Sequence, residues 1–534
     1  MRKDGWLTVF GAGLLPGVLA GAQVAGLLFF LNPALPFRGE PFARAVLQYG
    51  LLLGLAGLAA QLPWTWGRPG RARRLLPWTL TAALAAAALL DAAHASYYAY
   101  YLPAGVNRRL LKAALWLAAA ALAGFYTALL HTVRGRRYGR RSRWFLGLLA
   151  VLSVYVLIER RESFRPPPES PRRAPVVERG ERPRLWVIGL DAATLDAILP
   201  LAAQGRVPFL ARLLEEGAYG RLASFTPRRP AALWTTLATG THPARHGVLG
   251  GVRYRARFLG PDPELRLLPV GIGFERWGVR AARGEPPGAG REAATLWEVL
   301  PRLGAASAVV GWPAASAAPG LPAFVVGEGE LPGPAAGLAG DARRLAVAEA
   351  LVARRPEVEA CFVVLPGLAE VSRRAFGGWA AATDGARGAA EARAAVRLAG
   401  YYEGLDAWLA RLWESGRGPR LLAVVSAHGV EAPSREARLW AELTGGEGVG
   451  GRLDGAPDGV LMLYGDGVRR RSLLTEARLV DLAPTLLYAL RLPVARDLDG
   501  RVLTEAFDPA FLAAQPLTFL PSYEGLIERP RPQR

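Results

Sequence analysis

The stretch LLAVVSAHGV, residues 421–430, ends an apolar run on a histidine followed by glycine. Such a run bounded by a turn signal predicts a buried strand, and a histidine at its carboxyl end suits a metal ligand. A second run, LWVIGLD, delivers Asp191 at its end. Carboxylate and imidazole groups at strand ends are the donor set of a zinc-type ion that activates a nucleophile or water. Beside His428, however, where a two-ligand motif wants a carboxylate, stands Ala427. His242 and His246 in THPARHG supply two more imidazoles; the second reads as a packing and turn residue. Asp91 and His94 form a separate pair, three residues apart on one helical face of an apolar segment. Ionisable groups in such a segment are functional candidates by default. The plainer reading is a mutually satisfied pair near the headgroups.

The elements that must position these residues fall into two parts. From Leu185 onward, strand-like runs at LWVIGLD, ASAVVGW, AFVVGEG, ACFVVLPG, LLAVVSAHG and GVLMLYGDG alternate with helical stretches such as VPFLARLLEEGA, which closes at Gly217. That alternation predicts an α/β/α sandwich. The single cysteine, Cys361, excludes a disulfide framework and a cysteine-rich zinc site, and reads as a small buried hydrophobe. Residues 159–184 are rich in proline and charge without apolar periodicity, as expected of an extended linker.

Three stretches, in order, carry a resemblance: LWVIGLDAATLDAILPLAAQGRVPFLARLLEEGAYGRLAS, LWTTLATGTHPARHGV and ARLVDLAPTLLYALRLPVARDLDGRVLTEAF. They are similar to the alkaline phosphatase superfamily, and within it to the type I phosphodiesterase and nucleotide pyrophosphatase branch. The resemblance covers most of residues 185–525. It implies a mixed central sheet in an α/β/α core with a helical cap insertion within 250–420. It also implies two zinc-like ions that clamp a phosphate and activate a Thr or Ser nucleophile, held by about six Asp and His ligands.

Carried over residue by residue, most of that site is missing. The first ligand matches Asp191. The nucleophile, four residues before the Trp of the family's TPPAWTS pattern, falls on Pro230, which has neither hydroxyl nor backbone N–H. Thr235 and Thr236 match downstream positions inside the following helix. The middle Asp/His pair falls on Ala369 and Arg373, or one residue on at Glu370 and Arg374; in either register an arginine replaces the histidine. The SDHG pattern reads SAHG, which keeps His428 and loses the carboxylate. The last histidine falls near Gly455, and no histidine follows His428. The remnant metal ligands are therefore Asp191, His428 and Glu370. Even one catalytic zinc takes three protein ligands and a water, so no cofactor is expected unless that remnant set holds a zinc-type ion. Arg228, Arg229 and Arg373 or Arg374 remain as candidate anion-binding groups, since guanidinium binds phosphate without metal.

The first 158 residues are of another kind. Apolar segments at 6–31, 42–62, 75–95, 110–130 and 144–158 predict a helical bundle of about five membrane spans, the fifth being short. Residues 1–160 hold 18 of the 65 Lys and Arg but only four of the 45 Asp and Glu, so most of the +20 net charge lies there. The basic residues sit between apolar segments without an aromatic-lined patch, which excludes nucleic acid as a partner. Arg2, Lys3, Arg68, Arg71, Arg73, Arg74 and the six arginines between 134 and 143 fall on one side of the spans. By the positive-inside rule the amino terminus is cytoplasmic, and after five crossings residues 185–534 lie outside the inner membrane of a bacterial-type cell.

The sequence thus leads to a membrane-anchored, phosphodiesterase-like domain that is catalytically degenerate, with the bilayer and a phosphorylated envelope ligand or a membrane protein as partners. Two alternatives stand beside it. One is an active phosphoric ester hydrolase with a remodelled site on Asp191, Glu370 and His428. The other is a transport or lipid-handling protein built on Asp91 and His94, with the large domain as accessory.

Overall fold

A computed structural model describes residues 3–33, 35, 39–158, 182–260, 264–271, 279–284, 290–313, 315, 323–327, 330–331, 337–385, 388–415, 420–434, 436, 450–453 and 456–523. The chain divides into two units, Met1–Pro166 with Val252–Glu285, and Pro167–Gly251 with Pro286–Arg534. Most of the expected linker, 159–181, lies outside the described residues.

The first unit holds α1 (Lys3–Leu31), α2 (Glu40–Thr65), α3 (Pro69–Tyr97), α4 (Ala104–Val133) and α5 (Arg140–Ile158). The first four are long and apolar enough to cross a membrane, because a helix closes all its backbone hydrogen bonds within itself and can present only apolar side chains to lipid. Helix α5 has 19 residues, since its first turn takes in Arg140, Arg141 and Arg143 ahead of the apolar stretch. Leu47, Leu51 and Leu55 of α2, and Leu115, Trp116 and Leu122 of α4, are exposed, as lipid-facing side chains would be. Helices α1 and α2 meet backbone to backbone. A Cβ placed on Gly17 would stand 2.1 Å from the Leu53 carbonyl oxygen, and one on Gly21 would stand 2.4 Å from the backbone of Tyr49 and Gly50. Small residues four apart are what allow such an approach where no hydrophobic force drives helices together.

In chain order the strands are β1 (Leu185–Leu190), β2 (Ala218–Leu222), β3 (Val252–Ala256), β4 (Glu264–Leu265), β5 (Val279–Gly284), β6 (Ala306–Val310), β7 (Ala323–Val326), β8 (Val358–Leu365), β9 (Leu421–His428), β10 (Asp458–Gly465), β11 (Ser472–Leu474), β12 (Val494–Ala495) and β13 (Phe519–Leu520). Helices of the second unit are α6 (Leu195–Ala203), α7 (Pro208–Glu216), α8 (Pro230–Thr239), α9 (Pro243–His246), α10 (Leu296–Arg302), α11 (Gly337–Arg354), α12 (Gly367–Thr383), α13 (Ala389–Glu414) and α14 (Leu482–Ala489). The eight-stranded sheet has the order β11-β2-β10-β9-β1-β8-β6-β7. Strand β10 runs antiparallel to both neighbours while β9, β1, β8, β6 and β7 are parallel, so the sheet is mixed.

Central strand β1 is buried on both faces, which is why it reads as a continuous apolar run. Its alternate residues Trp186, Ile188 and Leu190 join a core with α6, α7, α11, α12 and α13. On the other face, Trp234 of α8 presses on Gly189, where an added Cβ would stand 2.6 Å from the indole. Trp297 and Trp312 pack edge to face with Phe362 of β8 on that side. The predicted three-layer α/β/α sandwich and mixed sheet are present. Within the range expected to hold a helical cap, the described residues of Val252–Gly284 form a small antiparallel sheet of order β4-β3-β5 that belongs to the first unit. The reason is visible in VRYRA, whose two-residue alternation suits a pleated strand better than a helix.

Candidate functional site

Strand β1 pairs in parallel with β9, with Gly189 opposite Val425. Carried two residues on, that register brings Asp191 level with Ala427, so the lost carboxylate would have stood beside the retained one. Immediately after Asp191 the chain turns through Ala192, which holds a left-handed φ of 70°. A non-glycine residue there is strained by ~1 kcal/mol or more, a device that persists at functional turns. The turn is pinned on its far side, because Ala193 N–H donates to Ser426 Oγ at 3.1 Å and Ser426 Oγ–H donates to the His428 carbonyl at 2.7 Å.

His428 Nε2 lies 3.3 Å from Asp191 Oδ1. This is an ion contact and not a hydrogen bond of good geometry, since among the described residues Asp191 Oδ1 is buried without a hydrogen-bond partner. The other ring nitrogen, Nδ1, is 2.9 Å from the Gly429 carbonyl oxygen, which can only accept. Burial pulls the imidazole down, but the Asp191 carboxylate outweighs it, and His428 is held above its ordinary value. The Arg228 guanidinium is near enough to push the other way. Among the described residues its Nε is buried without a partner, and of the four candidate arginines it is the one whose charge acts on His428.

Pro230 is exposed and occupies the first turn of α8, after Arg229 as N-cap. Proline fits there because its missing N–H would have no intrahelical partner, so the position expected for the nucleophile is a helix start. Arg229 donates to the Leu249 carbonyl at 3.0 Å. Thr235 and Thr236 are buried and donate to the carbonyls of Ala231 and Ala232 at 2.6 and 2.9 Å. Thr236 Oγ1 also accepts from His246 Nε2 at 3.0 Å, while His246 Nδ1 accepts from Val248 N–H at 3.1 Å. Both nitrogens of His246 are thereby fixed in a neutral tautomer, and burial drops its pKa to about 3. It is the packing and turn residue that its place in THPARHG suggests. His242 caps α9, and its N–H donates to Asp499 Oδ2 at 2.8 Å.

Glu370, the third remnant candidate, sits in the first turn of α12 and pairs with Arg374 at 2.9 Å. Arg373 and Arg374 are both exposed. Among the described residues, no three His, Cys, Asp or Glu side chains come together in a way that could hold a metal ion. The position near Gly455 lies outside the described residues. The donors present do not fit a pair of ions, and two donors are fewer than one catalytic zinc takes.

The structure also supplies a group that sequence reasoning did not single out. Asp341 of α11 is buried, accepts from Gly367 N–H at 3.1 Å and from the Tyr401 hydroxyl, and stands 3.8 Å from Arg344. Burial pushes it up to about 6, and the charge of Asp191 adds to that rise while Tyr401, Arg344 and the Gly367 N–H oppose it. In GLAGDARRLA an Asp and an Arg three apart look like a solvated helix face; only Tyr401, sixty residues on, reveals the buried cluster.

The mixed, parallel-centred sheet, whose first strand ends in an Asp beside a neighbour ending in SAHG, is the fold expected of the alkaline phosphatase superfamily. Residues 185–442 match the sequence profile of the family described as type I phosphodiesterase / nucleotide pyrophosphatase. The second unit is accordingly a phosphodiesterase/nucleotide pyrophosphatase-like domain of that superfamily, joined to apolar helices. Among solved structures, murine ectonucleotide pyrophosphatase / phosphodiesterase 5, in an inactive form with AMP, is 12% identical, with a TM-score of 0.39, covering 58% of this chain and 96% of that one. The human protein of the same name is 11% identical with a TM-score of 0.38, covering 59% and 97%. A variant of alkaline phosphatase PafA is 12% identical with a TM-score of 0.41, covering 62% and 100%. A comparison with curated proteins returned no match.

Proposed function

We propose that the domain is a catalytically degenerate phosphodiesterase that binds a phosphorylated envelope ligand or a protein partner at the carboxyl ends of β1 and β9, without hydrolysing it. One observation carries the reading. Where a metal would be shared, His428 and Asp191 face each other at 3.3 Å beside Ala427. The His428 ring, held above its ordinary value by that carboxylate, stands in the place of a cation, and Pro230 offers no side-chain hydroxyl for attack. Arg228 is the guanidinium placed to meet a phosphate there.

We place the chain in a cell membrane of the bacterial inner type, with the amino terminus cytoplasmic. Support comes from the first unit alone. The segment Val252–Glu285 bonds to the ends of α1 and α3 at Asn32 and Tyr98. The exposed arginines Arg68, Arg71, Arg73 and Arg74, and those from Arg134 to Arg143, flank the opposite ends.

The test is metal content and turnover of the full chain in detergent or nanodiscs. The expected result is well under one zinc per chain and no cleavage of a chromogenic phosphodiester. Turnover that disappears in Asp191→Ala would establish the opposite reading, an active hydrolase of phosphoric esters on a remodelled site.

A further inference from the structure

His94 does not pair with Asp91, as its spacing suggests; both its ring nitrogens are committed to backbone. Nδ1 lies 2.7 Å from the Leu90 carbonyl oxygen, and Nε2 lies 2.7 Å from Val270 N–H. A carbonyl can only accept and a backbone N–H can only donate. The ring is therefore neutral, with its proton on Nδ1 and its lone pair on Nε2 turned to Val270.

Val270 belongs to the inserted segment, and two neighbours of His94 grip the same few residues. Asn32 Oδ1 accepts from Arg266 N–H at 2.7 Å and Leu267 N–H at 3.1 Å, while its Nδ2 donates to the Leu267 carbonyl at 2.8 Å. The Tyr98 hydroxyl donates to the Leu268 carbonyl at 2.8 Å. All three side chains read backbone. Asn32 cannot titrate near neutral pH and Tyr98 is a hydroxyl donor, so His94 is the member of the grip whose bond depends on protonation.

An imidazolium carries N–H on both nitrogens. Its Nε2 proton would face Val270 N–H, donor against donor, and a buried donor without an acceptor is unfavourable. Asp91 lies one turn back on α3, buried, and takes no part in the present bonds of His94. Other charged or titratable groups described at this end of the unit are Glu40 and Arg44 of α2, which pair with each other, Tyr49 of α2, Arg108, Arg109 and Lys112 of α4, Tyr97, Tyr98, Tyr100 and Tyr101, and, in the insertion, Arg257, Arg266, Arg280, Tyr254 and Glu264, which pairs with Arg253 and Arg255. Helix α1 brings Asn32 and no charge. Of these groups, Asp91 is the acid within one turn of His94 on its own helix.

We propose that His94 is a proton-operated latch: neutral, it clamps residues 266–270 to the ends of α1 and α3, and protonated, it turns to Asp91 and releases them. The latch is independent of whether the domain hydrolyses anything.

The test is hydrogen–deuterium exchange of the full chain in nanodiscs at pH 7.5 and 5.5, corrected for intrinsic exchange rates and read on the peptide spanning 266–270. Protection should fall by roughly tenfold or more on acidification, as one or more units across the midpoint of a histidine requires. His94→Gln, which keeps an acceptor and cannot titrate, should stay protected at both values. Asp91→Asn should move the wild-type loss to lower pH by removing the counter-ion. Wild-type protection that is the same at both values, or a His94→Gln protein that loses protection as the wild type does, overturns the latch.

Discussion

His428 Nε2 stands 3.3 Å from Asp191 Oδ1, at the ends of two adjacent parallel strands. Two would-be metal ligands thus serve as each other's counter-charge, and a pH dependence follows. The folded imidazole holds its proton more tightly than an unfolded histidine, which titrates near ~6.5. Its contribution to stability is fully present below ~6.5 and is lost as pH rises through the folded value. The thermal midpoint of the full chain should fall between pH 6.5 and 8.5, and His428→Gln should flatten that limb. A wild-type midpoint that climbs over this range refutes the ion contact.

His246 should behave with the opposite sign. Its pKa is depressed to about 3, so the unfolded chain binds a proton that the folded one refuses. The stability it confers is present above ~6.5 and is lost as pH falls from there toward about 3. His246→Ala breaks the chain from Val248 N–H through the ring to Thr236, at about 2 kcal/mol or more near neutrality. The loss should shrink at pH 5. Equal losses at pH 5 and 7.5 would show that the buried ring is not held neutral.

How far these outcomes were legible differs between fold and site. The strands of the parallel core announce themselves as apolar runs because both their faces are covered, and α7 closes at Gly217 as its pattern requires. The inserted sheet did not announce itself, since its place in the first unit depends on backbone contacts to Asn32, His94 and Tyr98 that no periodicity encodes. Asp191 and Ala427 were legible because strand-end motifs have fixed spacing. Asp341 was not, because its burial comes from α13, packed against it from a distant part of the chain. Asp91 and His94 mislead for a related reason: i,i+3 spacing permits a pair, but His94 found backbone partners first.

The glycine seam of the first unit makes a prediction of its own. Gly17→Leu would drive a side chain into the Leu53 carbonyl, which approaches to 2.1 Å of a bare Cβ. Backbone cannot yield as a flexible side chain can, so α1 and α2 must separate. The substitution should lower the thermal midpoint in detergent sharply, while Gly11→Leu, whose Cβ meets nothing within 4 Å, should leave it within a few degrees. Equal effects of the two would mean that α1 and α2 do not touch along this face.

Ala427→Asp tests whether Ala427 is what separates this site from an ion-binding one. The new carboxylate would be buried beside the Asp191 carboxylate, like charge against like, at about 3 kcal/mol or more without metal. The separation of Asp191 and His428 is also about that of two ligand atoms on one tetrahedral zinc. The variant should therefore melt lower than wild type in chelator, recover with added zinc, and bind about one zinc by calorimetry where the wild type binds none. Recovery without zinc would mean that the pocket is wetter and more open than the burial of Ala427 implies.

Pro230→Thr returns a hydroxyl and a backbone N–H to the place where the resemblance puts the nucleophile. The position is exposed and lies in the first helical turn, where threonine is tolerated, so the thermal midpoint should move by no more than a few degrees. Activity should not appear. A threonine hydroxyl is a weak nucleophile unless a metal or a base draws off its proton. The His428 ring, which could serve as a base, is engaged by Asp191 and the Gly429 carbonyl. Turnover of a chromogenic phosphodiester should remain at the uncatalysed background in Pro230→Thr, with and without zinc, because the ligands missing at Ala427, at the middle pair and near Gly455 are not restored with it. Zinc-dependent turnover by Pro230→Thr alone would mean that Asp191 and His428 already hold an ion, and the degenerate reading would fall with it.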